Sequence, residues 1–385
     1  MADETETGRT RRAGRGRHIR GRHSPGALAH SSRNRTWLFA LVSTVLVLGI
    51  AGVSLALTAR TKSAGRADTP PGTSSTTTPA SSSACPLSGV PAAGGQVPRR
   101  PALAIKVDNY PSARPQSGLD KADIVFEEPV EGGITRLVAV FQCQSANLVG
   151  PIRSARAVDA SILDQLSKPL FLHVGGITPV LSLIREADVF DETLLARGSV
   201  VQNPPSRYAP DDTYVSTAAG WGLRPNDTAP PASIFTYSST APSGTPVTSL
   251  HIPYSQTSDV TWTWDANTGR WTLYYTGTPA TVANGGQIAV PNVVVQTVRV
   301  TYGPWVEDAQ GGLEVQSQLT GSGPLEVFRN GQEVTGTWQR SSLSQPTRLV
   351  ASDGSMIALQ PGETWVELVP SSIAVTTTAP SRAAG

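Results

Sequence analysis

Residues 37–57 form an apolar run without a charge, the ~20 residues that a bilayer crossing requires, and predict a transmembrane helix over 36–58. Residues 69–84 are almost entirely Ser, Thr, Pro, Ala and Gly. Such a stretch cannot bury a core and predicts an extended tether over 59–99. From residue 101 the pattern turns globular. Residues 102–107 read as a strand ending in polar Asp108-Asn109, and 124–130 with 134–141 read as a hairpin across Glu131-Gly132-Gly133. Val158, Ile162, Leu163 and Leu166 then recur at helical spacing until Lys168-Pro169 stops the run, which places an N-cap at Ser154 or its neighbour. Residues 170–174 form another apolar strand before Gly175-Gly176, and 179–187 read as helix. This alternation predicts an α/β or α+β domain over 100–245.

Near residue 245 the pattern becomes strand-like throughout. Residues 260–264 and 270–275 flank an Asp-Ala-Asn-Thr-Gly turn, and Asn330-Gly331 and Asp353-Gly354 supply the positive φ angles of tight hairpins. A β-rich domain, sandwich or small barrel, is expected over 246–372, with 373–385 as a disordered tail. The roughly 270 residues beyond the tether suffice for two domains with their own cores.

Charge orients the span. Nine arginines precede it (Arg9, Arg11, Arg12, Arg15, Arg17, Arg20, Arg22, Arg33, Arg35) against Asp3, Glu4 and Glu6, and only Arg60, Lys62 and Arg66 follow closely. The positive-inside rule puts the basic tail, residues 1–35, in the cytoplasm and the bulk outside the cell membrane as a single-pass protein. A cleaved signal peptide is the competing reading, but the apolar stretch exceeds the ~7–15 residues of such a segment. Residues 1–66 carry 12 basic and 3 acidic side chains, leaving 19 basic and 26 acidic beyond, so the exported part is net −7 while the whole chain is +2. The basic character therefore belongs beside anionic lipid rather than nucleic acid. Cys85 and Cys143, the two cysteines of the chain, both lie in the exported part, where a disulfide between them is expected. No metal site or cofactor is expected: outside the arginine-rich segment only His173 and His251 remain.

Candidate chemistry concentrates in Gly150-Pro151-Ile152-Arg153-Ser154-Ala155-Arg156. Helix amides, the dipole's positive end and the forked donors of Arg153 and Arg156 would converge on a spot suited to phosphate or carboxylate; the alternative is that both arginines pair with Asp or Glu in a structural network. A two-residue turn at Gly132-Gly133 would pair Pro129 with Arg136 and put Glu127, Glu131 and Arg136 on one face as an acid–base ladder. Asp108 and Asn109 end a strand at the edge where open α/β sheets bind ligands, and Arg114 follows in a Pro-flanked loop. The 203–212 loop, with Arg207-Tyr208, is unusually long. His173 in an apolar strand reads as a satisfied core histidine, and Trp262, Trp264 and Trp271 as core residues rather than a sugar platform. Ser154 lacks the surroundings of a nucleophile.

Five strings identify a family resemblance: Ala104-Ile105-Lys106-Val107-Asp108-Asn109, Ala113-Arg114-Pro115-Gln116-Ser117-Gly118-Leu119, Ala122-Asp123-Ile124-Val125-Phe126-Glu127, Glu131-Gly132-Gly133-Ile134-Thr135-Arg136 and the Gly150 to Arg156 run. In this order they resemble the bacterial YerB-like family, domain of unknown function 3048, over roughly residues 100–370; Pro361-Gly362-Glu363-Thr364-Trp365-Val366 resembles its C-terminal domain. The resemblance implies an N-terminal and a C-terminal domain on the outer face of the membrane. Members are commonly lipoproteins, whereas here no cysteine ends the apolar span.

The resulting expectation is a membrane-anchored cell-envelope protein that binds an anionic or glycan ligand, a wall polymer or an envelope protein through an Arg-rich cleft formed by Asp108, Asn109, Arg114, Arg136, Arg153, Ser154 and Arg156. The alternative is a wall hydrolase or transferase acting on a phosphate-bearing or carbohydrate substrate, with Asp108 or Glu127 as base; its layout is loosely similar to wall-polymer ligases of the LytR-CpsA-Psr kind. A purely structural element of a secretion or division assembly is the third reading.

Overall fold

The computed structural model describes residues 83–381. The basic tail, the transmembrane segment expected over 36–58 and most of the tether lie outside the described residues. No helix among the described residues is long and apolar enough to cross a membrane.

The first half supplies strands β1 (Leu103–Asp108), β2 (Ile124–Pro129), β3 (Thr135–Phe141), β4 (Leu170–His173) and β5 (Phe190–Thr193), with helices α1 (Ala157–Leu163), α2 (Thr178–Glu186) and α3 (Thr217–Gly222). The second half is β-rich. It contributes β6 (Thr245–Pro246), β7 (Ser249–Pro253), β8 (Asp259–Asp265), β9 (Arg270–Tyr275), β10 (Thr278–Pro279), β11 (Ala289–Val290) and β12 (Asn292–Val298). There follow β13 (Val300–Val306), β14 (Leu313–Ser317), β15 (Gly321–Arg329), β16 (Gln332–Arg340), β17 (Arg348–Ala351), β18 (Thr364–Pro370) and β19 (Thr376–Thr378).

One sheet runs through both halves in the order β17-β16-β15-β12-β18-β2-β3-β1-β4-β5. Its seam is the parallel pair β18–β2, with Thr364 opposite Ile124 and Glu367 opposite Glu127. β12 and β18 are near-continuous apolar runs, as befits parallel strands buried on both faces. The second sheet, β10-β9-β8-β7-β19, covers one face: Leu103, Ile105 and Val107 of β1 join Trp262, Trp271 and Leu273 there. The other face carries α1 and α2, where Ala104, Phe126 and Val138 meet Ile162, Val180 and Ile184. Both cores mix residues of both halves, so the expected separation into two cores does not hold.

Three further expectations are corrected. Residues 83–99 are part of the folded body rather than tether: Leu87 is buried, and Cys85, also buried, is disulfide-bonded to Cys143 at a Cα separation of 6.0 Å. The segment read as a disordered tail contains β19, whose Thr376–Thr378 pairs with Ser249–His251. The β2–β3 hairpin closes through three residues instead of two: Val130 N donates to Ile134 O, Gly132 and Gly133 both take positive φ (74° and 70°), and Pro129 pairs with Thr135. The shift of one residue makes Glu128, not Pro129, the partner of Arg136, and turns Glu127 to the opposite face.

Candidate functional site at the carboxyl end of β1

Alternation along β1, β2 and β3 sends Lys106, Asp108, Glu128 and Arg136 to the helix side. Lys106 Nζ lies 2.7 Å from Asp159 Oδ1 and also pairs with Glu128. All three side chains are fully buried, and two carboxylates share one cation. Glu128 is accordingly pushed up to about 8, by burial first and then by the charge of Asp159.

Glu131, in the hairpin turn, receives two guanidiniums. Arg156 forks onto it, with Nε donating to Oε2 at 2.7 Å, while Arg136 Nη2 donates to Oε1 at 3.2 Å. Burial alone would raise the Glu131 pKa, but the Arg156 hydrogen bonds and the two positive charges outweigh it and hold it at about 2. Arg156 also meets Glu307 at 3.3 Å.

α1 begins at Ala157, with Arg156 rather than Ser154 as its N-cap residue. Asp159 Oδ2 accepts from Arg156 N at 2.7 Å, and Glu314 Oε1, from β14, accepts from Ala157 N at 2.8 Å. The helix start is thus occupied by the protein's own carboxylates, which the dipole favours as it would an external anion. Glu314 is raised to about 9 by burial and by its hydrogen bond to Glu307.

Arg153 sits at the rim. It pairs with Asp108, whose other oxygen accepts from Tyr110 N at 3.0 Å, and its side chain remains 27 % exposed. Ser154 is half-buried; its carbonyl accepts from Arg136, and its hydroxyl makes no hydrogen bond among the described residues.

On the other face, Glu127 is fully buried and accepts from Thr135 Oγ1 (2.7 Å), Tyr275 OH (2.8 Å), Asn109 Nδ2 (3.1 Å) and Trp365 Nε1 (3.1 Å). Its register neighbour Glu367 accepts from Trp262 Nε1 (2.8 Å) and Tyr254 OH (3.0 Å). Both carboxyls are raised by burial; the charge of Glu127 adds to the rise at Glu367, while the hydrogen bonds and Arg114 oppose it at Glu127.

Asn109 links this pair outward. Its Oδ1 accepts from Gln116 Nε2 (2.8 Å) and from Arg114 Nε (3.0 Å), and Arg114 Nη2 donates to its carbonyl (2.8 Å). The Arg114 guanidinium lies 3.7 Å from the centroid of the Tyr275 ring. Alone of the four arginines expected at the ligand site, Arg114 has no carboxylate within salt-bridge distance among the described residues.

The expected site residues therefore fall into two sets separated by the sheet: Asp108, Arg136, Arg153, Ser154 and Arg156 on the helix side, and Asn109, Arg114 and Glu127 on the other. Lys106, Asp159, Glu307, Glu314 and Glu367 escaped notice. Glu367, a lone acid inside Thr364-Trp365-Val366-Glu367-Leu368, and Lys106, a lone base inside β1, carried a usable signal, because a charge within a buried strand demands a partner. His173 is a core histidine, with Nε2 2.7 Å from Asp191 and Nδ1 at Gly175. Trp262 and Trp271 are fully buried.

Comparison with known proteins places this architecture. The N-terminal domain of the protein family of unknown function DUF3048 matches residues 87–225, and the C-terminal domain of that family matches residues 250–366. The chain belongs to the DUF3048 family. It is 30% identical over 301 residues to a Bacillus subtilis (strain 168) protein named "Putative lipoprotein YerB", covering 74% of this chain and 86% of that one. The crystal structure of YerB from Bacillus subtilis has a similar fold, with a TM-score of 0.66 at 24% identity over 76% of this chain and 99% of that one. The DUF3048 domains here meet in the shared sheet, at β2 and β18.

Proposed function

We propose that this chain is a membrane-attached module on the outer side of the cell membrane that binds an anionic or glycan ligand, or an envelope partner bearing one, at the carboxyl end of β1, and that it performs no chemistry of its own. One observation carries the preference for binding over catalysis: both candidate bases are already engaged. Asp108 is held by Arg153 and the Tyr110 amide, and Glu127 is surrounded by four donors. A general base needs a free lone pair within reach of a substrate proton. Arg136 and Arg156 are likewise neutralised internally, which leaves Arg114 and the rim residue Arg153 as the guanidiniums that can meet a ligand.

The location rests on the uncharged 37–57 run, on the arginine excess before it and on the lipoprotein name of the relative. A disulfide between Cys85 and Cys143 suits an oxidising compartment. The test is to incubate the full-length protein, in detergent, with wall polymers from its own host, following bound polymer and released product together. Saturable binding with the polymer recovered intact is expected; a new product accumulating with enzyme concentration would overturn the reading in favour of a wall hydrolase or transferase.

A further inference from the structure

We propose that the cavity beside Arg114 is an oxyanion site that takes a phosphate or carboxylate group of a ligand on the open edge of the guanidinium. The proposal deepens, and rests on, the reading of this edge as a binding surface. The cavity encloses about 320 Å³ and is lined by Pro111, Arg114, Pro115, Tyr275, Thr276 and Thr278, among others. That is the lower end of the range for small-molecule sites, enough for an anionic group and part of its carrier.

Arg114 is pre-positioned. Tyr275 fixes the plane of its guanidinium, and Nε and Nη2 are spent on Asn109. Nη1 donates to nothing among the described residues, so one edge of the fork is free while the group cannot swing away. A guanidinium held in this manner loses little side-chain entropy when an oxyanion docks. The wall segment is braced by Arg207 of the 203–212 loop, which donates to the carbonyls of Ser112 (3.2 Å) and Pro115. The nearby Asp211 accepts from Ser112 Oγ at 2.9 Å. Exposed Thr276 and Thr278 add neutral hydroxyls.

Occupancy should be linked to a proton. Glu127 touches Arg114 through Asn109 and through the Tyr275 hydroxyl, and is faced by Thr135 of β3, Trp365 and Glu367 of β18, and Tyr254 and Trp262, which hold Glu367. The positive charge of Arg114 favours ionised Glu127. An anion on Arg114 offsets that charge, so it draws a proton onto Glu127, and by reciprocity its own affinity falls as pH rises.

Calorimetry of the full-length protein in detergent tests this, with inorganic phosphate and glutarate titrated in parallel, each in two buffers of different ionisation enthalpy. Binding of at least one with proton uptake is expected; Arg114→Gln should weaken it at least tenfold, Arg185→Gln on the α2 surface should leave it unchanged, and Glu127→Gln should bind without proton uptake. Should Arg114→Gln not fold, amide shifts of the wild type decide. Shifts confined to residues 111–116 and 275–281 support the site, and shifts elsewhere overturn it. Failure of both anions to bind the wild type, or equal affinity in a folded Arg114→Gln protein, also overturns it. If host wall polymer still binds in that case, the site is lost while the binding-module reading stands.

Discussion

Two guanidiniums converge on the single carboxylate of Glu131, and the side chains of Arg136, Arg156 and Glu131 are all buried to below a tenth of their surface. Removing one partner of a buried pair leaves an uncompensated charge, at a cost of ~3–5 kcal/mol. Glu131→Gln is therefore expected to lower unfolding free energy by about that amount in denaturant titrations, whereas Asp188→Asn, in the solvent-exposed pair with Lys168, should cost about 1 kcal/mol or less. Equal losses would show that the cluster is not a closed network. The sequence marked Arg136, Arg153 and Arg156 as charges needing an explanation. Of their partners, Glu131 was legible for Arg136, since the hairpin reading put both on one face; that Arg156 joins Glu131 from 25 positions away and also meets Glu307 was not, because no local pattern encodes contacts of that range.

At the scale of elements, the sequence located β1 to β4 and α2 to within a residue at each end, the strands as short apolar runs buried on both faces and α2 by its helical recurrence; α1 ends at Leu163, short of the Leu166 to which its recurrence ran, and Asp164–Leu166 follows as a 3-10 turn. The hairpin register failed for a local reason: Gly132-Gly133 is the signature of a two-residue turn, yet Glu131 joins the loop and its carboxylate turns inward to Arg156. That single step decided which acids share a face with Arg136. The Cys85–Cys143 disulfide ties the segment before β1 to the end of β3 across a separation of 58 residues. Closing such a loop contributes ~2–4 kcal/mol through the unfolded chain. The Cys85→Ser/Cys143→Ser protein is expected to lose that much in equilibrium unfolding. An unchanged midpoint would mean that the 83–99 segment is not coupled to the core.

For the whole molecule, what the sequence concealed is that two composition-distinct halves build one sheet. Nothing in the runs of β2 or β18 names the other as its neighbour, since parallel pairing between distant strands leaves no local trace. The merged architecture buries more carboxylates than cations, and this has a pH signature. Glu128 and Glu314, raised to about 8 and about 9, and Glu367, raised well above the usual carboxylate value, hold protons that the unfolded chain releases above about 4.5. Their stabilisation is complete below that pH and is lost as pH rises towards the folded values. Glu131, held at about 2, works in the opposite sense: its contribution is present above about 4.5 and is lost as pH falls towards 2. The melting temperature should therefore peak in mildly acidic solution and decline towards pH 9, and Glu128→Gln should flatten the decline. A melting temperature that rises steadily from pH 5 to 9 would contradict this charge assignment.

The claim that the carboxyl end of β1 holds a ligand without transforming it is tested most directly by native mass spectrometry of the full-length protein extracted from its own host membrane, beside folded Arg114→Gln protein prepared identically. A discrete adduct carrying phosphate or carboxylate on the wild type, and strongly depleted in the variant, is the expected result. Bare protein in both preparations, or the same adduct at the same occupancy in both, would contradict it.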